Sequence, residues 1–284
     1  MSLNGYKVAF IGGGNMAEAM ISGLLSRGLT TADHIVVSGP REQRCVELHA
    51  RYGVTVTTDN VEAVRGAHIV ILSVKPQMMA AVLTQLRGVI VSDALVISIA
   101  AGVSVQMIAE GLGHTQVVRS MPNTPGRIGQ GITVWTAQNL SDVHSEQTRQ
   151  ILGALGMVEF VDHEKYLDAV TAVSGTGPAY VFFVMEAMVA AAVREGLPRH
   201  LAMRLVMQTM AGSVAYAAQA GVHLAQLRDD VTSPAGTTAE ALYELENGGV
   251  RVAFYDAIRA AHERSRALGS GNGTAGHGKS SGNT

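Results

Sequence analysis

"AFIGGGNMAEAM", residues 9–20, sets three consecutive glycines between a short apolar run and a series of small, helix-favouring residues. Gly12, Gly14 and Ala17 fit the pattern G-x-G-x-x-A, in which alanine is an accepted third residue. Each position has a physical job. Gly12 permits a tight turn, Gly14 lets a pyrophosphate approach the backbone, and Ala17 keeps the following helix close to the preceding strand. Phosphate oxygens then lie on the free N–H groups of the helix N-terminus. A bare glycine pattern is weak evidence. Here it closes a strand, opens a helix and starts a βαβ unit, the context in which dinucleotide binding is the expected role.

Outward from this turn, short β-rich runs alternate with helical ones. Strands are expected at 7–11, 34–38, 54–57, 69–73, 95–99 and 116–120, with 132–136 and 158–161 extending the set. Most are apolar without polar alternation, which predicts a parallel sheet covered by helices on both faces. From about Lys165 the strand signals stop. Helices are expected over 178–195, 198–220, 237–246 and 250–268, with Pro178 and Pro198 each suiting a first helical turn. The fold class predicted is α/β: a Rossmann-type doubly wound domain over residues 1–163, then an all-helical domain over 164–268. The helix at 178–195 is apolar nearly all round, and Met203, Met207, Met210 and Val214 recur at helical spacing beside small residues. Such helices are expected to cover one another in a dimer at least. The Gly/Ser-rich tail, 269–284, is expected to be disordered.

Composition narrows the classes. Of the 284 residues, 47% are hydrophobic and 15% charged, which excludes a disordered chain, and a net charge of −2 gives no reason to expect nucleic acid. The single cysteine, Cys45, rules out an intrachain disulfide framework and a thiolate metal cluster, so a cytoplasmic setting is expected. No signal peptide is apparent. The most apolar stretch, 180–193, contains Glu186 and is too short to cross a bilayer, so no membrane association is expected.

The end of the second strand bears on the dinucleotide. An acid there would hold a ribose 2′-hydroxyl, but the sequence reads "VVSGPREQR", with Ser38, Arg41 and Arg44 and no acid before Glu42. A hydroxyl and a guanidinium suit a 2′-phosphate, so NADP(H) is expected over NAD(H), with use of both left open. Loops after the fourth and fifth strands, "SVKPQ" (73–77) and "IAAGV" (99–103), should border the same ligand.

Three further stretches are more particular: "RSMPNTPGRIGQG" (119–131), "AVTAVSGTGPAY" (169–180) and "LRDDVTSPAGTTAEAL" (227–242). With the glycine turn and "SVKPQ" in the same order, they closely resemble Δ1-pyrroline-5-carboxylate reductases, over about residues 5–268. The resemblance implies a Rossmann domain followed by a helical dimerisation domain. It places NADP(H) contacts at Ile11, Gly12, Gly13, Gly14, Asn15, Met16, Ser38, Asn60, Ser73, Val74, Lys75, Pro76, Ile99, Ala100 and Ala101, beside Arg41 from the residue reading. It directs the substrate to Glu164, Thr237 and Thr238, with the Thr238 hydroxyl hydrogen-bonding the imine nitrogen as the catalytic contact.

Residue chemistry adds to this. Ser174, Gly175, Thr176 and Gly177 precede one expected helix start, and Ser233, Gly236 and Thr237 precede or open another. Free N–H groups at such ends favour a carboxylate. Two departures from the family stand out: Ala235 replaces a second glycine, and "SGPR" occupies a variable position.

The implied reaction is hydride transfer to the C5 atom of a cyclic imine, which gives L-proline. Protonation of the imine nitrogen activates it, so positioning matters more than acid–base groups. The sequence agrees: it has no compelling His–carboxylate pair and no metal-ligand spacing, and no metal is expected. Two rivals are a hydroxyacid dehydrogenase of the same build and a non-catalytic NADP(H) sensor. The first would need an acid–base lysine or histidine on the long helix. The second would not need the "SPAGTT" pocket.

Overall fold

In the structure, a computed structural model that describes residue 3 and residues 5–269, the first apolar run is β1 (Val8–Ile11), and the glycine turn leads into α1 (Asn15–Ser26). The alternation continues through β2 (Ile35–Ser38), α2 (Glu42–Tyr52), β3 (Thr55–Thr57), α3 (Asn60–Val64), β4 (Ile69–Leu72) and α4 (Met79–Leu86). It closes with β5 (Leu95–Ser98), α5 (Val105–Leu112), β6 (Val117–Met121), β7 (Gly131–Ala137), α6 (Asp142–Gly153) and β8 (Gly156–Phe160). The strands form one sheet in the order β3-β2-β1-β4-β5-β6-β7-β8. Every neighbouring pair is parallel except β6 and β7. The connection between Met121 and Gly131 contains no crossover helix of the kind a parallel return requires, so β7 runs back beside β6.

Successive strand residues point to opposite faces, and each face has its own core. Val8, Phe10, Ile35, Val37, Ile69, Ile71 and Trp135 pack under α1, α2 and α6. Ala9, Ile11, Val36, Val70, Leu72 and Val96 pack under α3, α4 and α5. This two-sided burial explains why the central strands read as continuous apolar runs. Strand order reverses at β1, between β2 and β4, and leaves a crevice beyond the carboxyl ends of these strands.

The helical half begins with α7 (Tyr166–Val170), a π-helical turn over Thr171–Gly175, and α8 (Gly177–Arg194). It continues with α9 (Arg199–Ala220), α10 (Leu224–Asp230), α11 (Thr237–Asn247) and α12 (Val250–Gly269). Two corrections arise here. The helix expected to start at Pro178 is the later part of a 29-residue helical run from Tyr166 to Arg194, because the π turn carries α7 into α8. An 18-residue window of that run has a mean hydropathy of 1.5, so the run, unlike the shorter stretch read from sequence, is long and apolar enough to cross a membrane by length and composition alone, a test that a core helix of a soluble protein also meets.

Chain contacts divide the protein into two compact units. Of the described residues, the first comprises those up to Thr176 together with 261–269, and the second is Gly177–Ala260. The second unit has a thin core: Val189, Ala202 and Val206 are buried, with Met185, Ala192, Val193 and Met210 packed around them. Phe182, Phe183, Val214, Tyr216, Tyr243 and Tyr255 are all exposed in the single chain. Apolar exposure on this scale marks an interaction surface. The tail expected to be disordered lies, apart from Gly269, outside the described residues.

Candidate active site

The crevice at the strand-order reversal is a cavity of about 440 Å³. Gly12, Gly13 and Gly14 line it from the β1 turn, Gly39, Pro40 and Arg41 from the end of β2, and Ser73, Val74 and Lys75 from the end of β4. Gly12 has φ +106°, and a Cβ there would lie 2.8 Å from the Ser73 carbonyl oxygen. Both facts require glycine. Gly13 packs against α2, since a Cβ would meet Leu48 Cδ1 at 2.8 Å. Gly14 differs: it caps α1 in extended conformation, and no atom lies within 4 Å of where its Cβ would be. No side-chain hydrogen bond caps α1, so no cap occupies its first N–H groups. Ala17 is fully buried. The turn therefore fits a pyrophosphate by shape and by dipole.

Ser73 ties the turn to β4, its Oγ donating to the Gly12 carbonyl at 2.7 Å and the Ile11 carbonyl at 3.1 Å. Ser38 is buried and donates from Oγ to Asn60 Oδ1 at 2.7 Å, and Asn60 Nδ2 donates to Gln85 Oε1 at 2.8 Å. Asn60 is thus held at the rim as the first residue of α3; the cap itself is Asp59, whose carboxylate accepts from Val61 N at 2.8 Å. Arg41 is exposed on the cavity wall; its carbonyl accepts from Arg44 N and Cys45 N, but among the described residues no hydrogen bond or ion pair engages its guanidinium. An unpaired guanidinium beside Asn60 is suited to an anion.

Other expected residues lie apart from the lining. Ile11 is part of the core, Asn15 and Met16 open α1, and Pro76 starts a short 3-10 turn after Lys75. Ile99, Ala100 and Ala101 follow β5 but do not line the cavity. Gly39, Pro40, Arg44, Cys45, Thr58, Met78 and Val82 line it without having been assigned to it from sequence. Arg44 and Cys45 were within reach, because residues three and four beyond Arg41 share its face once α2 is a helix. Burial pushes the Cys45 thiol up, so it is no ready nucleophile.

Glu164 is engaged structurally. Its Oε1 accepts from Val105 N, at the start of α5, and from Arg119 Nη1, each at 2.9 Å. The buried Arg119 also donates to Asp168 Oδ1 at 3.2 Å, and Ser265 Oγ donates to the same oxygen at 2.9 Å. Sequence reading treated Glu164 as a substrate contact and did not single out Arg119, because the pairing joins residues 45 positions apart.

The two small-residue segments behave differently. In the π turn, Ser174 Oγ donates to the Val170 carbonyl and Thr176 Oγ1 to the Thr171 carbonyl, and a Gly175 Cβ would meet Met121 Cε at 2.5 Å. Since the helical run continues through Thr176 into Gly177, the free helix end expected there is corrected to an internal turn. At α11 the end is real. Ser233 and Gly236 form a closed turn, with Gly236 N donating to the Ser233 carbonyl at 3.0 Å. Gly236 caps the helix with no side-chain hydrogen bond, and Thr237 and Thr238 are its first residues. Ala235 has φ +56°, the left-handed conformation that favours glycine.

Both halves of the chain have known relatives. A model described as pyrroline-5-carboxylate reductase dimerisation matches residues 164–268, and one described as NADP oxidoreductase, coenzyme F420-dependent, matches residues 7–102. The pyrroline-5-carboxylate reductase of Pisum sativum is 38% identical over 264 residues, 93% of this chain and 96% of that one. The chain belongs to the pyrroline-5-carboxylate reductase family. A solved reductase from Coxiella burnetii superposes with TM-score 0.84 at 35% identity, covering 93% of this chain and 98% of that one. A Plasmodium falciparum pyrroline carboxylate reductase, solved with NADP bound, gives TM-score 0.85 at 30% identity over 93% and 98% of the two chains. Among the described residues, no group of three or more His, Cys, Asp or Glu is arranged to hold a metal ion. Membership in the reductase family also accounts for the exposed apolar surface of the second unit, which lies within the region matched by the dimerisation model.

Proposed function

We propose that this protein reduces 1-pyrroline-5-carboxylate to L-proline with NADP(H), used in preference to NAD(H). The observation that carries the reading is the likeness to reductases, which runs through both halves of the chain, together with an open glycine-turn cavity. The nicotinamide, when bound, supplies the hydride that reaches C5 of the imine. This chain's residues do the positioning. Gly12 and Gly13 hold the turn, and the N–H groups beyond Gly14 take the pyrophosphate. Ser38 and Asn60 orient the adenosine side, and Arg41 meets the 2′-phosphate with charge-assisted hydrogen bonds. Ser73, Val74, Lys75 and Pro76, with Ile99, Ala100 and Ala101, border the nicotinamide.

The uncapped start of α11 holds the substrate carboxylate through its N–H groups, and the Thr238 hydroxyl steadies the ring nitrogen. Ser233 shapes the turn that leads into α11, and Ser174, Gly175, Thr176 and Gly177 shape the π turn and the start of α8. Glu164 contributes through its remaining oxygen, Oε2, since Oε1 is already occupied. The chain works as a dimer at least, its 164–268 segment covering the apolar helices of a second copy. No metal, nucleic acid or membrane takes part, and the lone Cys45 supports a cytoplasmic setting. Thr238→Ala tests the substrate assignment: imine reduction should fall while NADPH affinity holds. Unchanged kinetics would remove Thr238 from the mechanism.

A further inference from the structure

We infer that Arg44 is a positioning residue for the pyrophosphate turn, acting from α2 as a clamp on Gly13 and as the counter-charge to Glu18. This rests on the dinucleotide reading above. Arg44 Nε donates to the Gly13 carbonyl at 2.9 Å, and Nη2 donates to Glu18 Oε2 at 2.5 Å. Its Nη1 donates to Glu47 Oε2 at 3.2 Å. The guanidinium is therefore committed at all three nitrogens, whereas Arg41, on the same wall, is free. Two neighbouring arginines on one cavity wall divide the work: the Arg41 guanidinium is open to a ligand, and the Arg44 guanidinium is bonded to the protein.

Glu18 explains the need. It sits in the first turn of α1, the helix whose positive end is to attract phosphate, and its side chain is only 12% exposed. An uncompensated carboxylate there would cancel the dipole and repel a pyrophosphate. Burial works against the charge on Glu18, but hydrogen bonds from Arg44 and Tyr52 together with the charges of Arg44 and Arg51 outweigh it and hold the carboxyl below its usual range. Glu18 is thus ionised, with Oε1 taking Arg51 at 2.7 Å and Tyr52 at 3.0 Å and Oε2 taking Arg44. The same guanidinium, through Nε, ties α2 to the glycine turn, where Leu48 leaves no room for a Cβ on Gly13.

A pyrophosphate is common to NADPH and NADH, whereas the 2′-phosphate is not, so the two arginines have different signatures. In fluorescence titrations, Arg44→Gln should raise Kd for NADPH and NADH by the same factor, about tenfold, the size of one lost charge-assisted hydrogen bond. In turnover, KM for the dinucleotide should rise with kcat held. Arg41→Gln should weaken NADPH alone. Glu18→Gln combined with Arg44→Gln should recover part of the loss, because the stranded carboxylate is gone. Arg44→Lys, which keeps the charge but cannot bridge Gly13 and Glu18 together, should fall between. Hydrogen exchange on the cofactor-free protein separates this inference from the cofactor assignment: amides of residues 12–16 should exchange faster in Arg44→Gln, with those of β4 unchanged. Loss confined to NADPH would overturn the inference and make Arg44 a 2′-phosphate ligand. Unaltered affinity together with unaltered exchange at residues 12–16 would overturn it equally.

Discussion

Gly12 and Gly14 stand two residues apart in one turn, yet adding a single methyl group to each should have different consequences. At Gly12 the backbone sits at φ +106°, and a Cβ would press on the Ser73 carbonyl at 2.8 Å, a backbone atom that cannot swing aside. Positive φ costs an L-residue about 1–2 kcal/mol, and overpacking against fixed atoms adds about 1–3 kcal/mol. Reduced entropy of the unfolded chain returns about 0.4–1 kcal/mol. Gly12→Ala should therefore destabilise by about 2–4 kcal/mol, which for a domain of this size lowers Tm by about 10 °C. It should weaken the dinucleotide as well, since the turn must move. Gly14→Ala meets nothing within 4 Å and has an ordinary φ of −75°, so the fold should keep its Tm within about 2 °C. Its methyl instead enters the space facing the α1 N–H groups, raising the NADPH Kd by about tenfold or more. Circular-dichroism melts at fixed protomer concentration and NADPH titrations check both arms. A Gly14→Ala protein that binds NADPH normally, or a Gly12→Ala protein that melts with the wild type, would refute this account of the turn.

Ala235 holds a left-handed φ of +56°, so Ala235→Gly should stabilise by about 0.5–1 kcal/mol, read as a raised denaturation midpoint; a lowered midpoint would contradict the strain. His144 is buried, and burial pushes its pKa below the ordinary 6.5, with nearby His114 in the same direction and Asp93 opposing. The unfolded chain then binds the proton more readily, so this contribution is complete above about pH 6.5 and is lost as pH falls through the lower folded pKa. Urea midpoints measured from pH 7.5 downward should fall less steeply in His144→Gln than in the wild type, and parallel profiles would exclude the residue.

Much of this architecture was readable from local chemistry. The β1 turn could be recognised because each glycine answers a need set within a few residues: the sharp reversal at Gly12, the open approach at Gly14, the tight packing at Ala17. The apolar runs of β2, β4 and β5 announced burial on both faces for the same reason. Strand direction is another matter, since β7 looks like its neighbours in sequence and only the connection from Met121 to Gly131 turns it antiparallel. Pro178 resembled a helix start because proline suits a first turn, but the π turn at Thr171–Gly175 supplies a helical lead-in that no residue pattern marks. Long-range pairs were the hardest to see. Glu18 with Arg44, and Glu164 with Arg119, are made by tertiary packing between residues with no sequence relation, and they decide which charges face a ligand and which face the protein.

The central claim is the reaction, and turnover tests it most directly. Purified protein is incubated with 1-pyrroline-5-carboxylate and either NADPH or NADH, while the fall in reduced-nicotinamide absorbance and the appearance of proline are followed together. The account predicts imine-dependent oxidation, one proline formed per dinucleotide consumed, and a higher kcat/KM with NADPH. Tight NADPH binding without oxidation in the presence of the imine would contradict it and turn the α11 end and Thr238 over to another ligand.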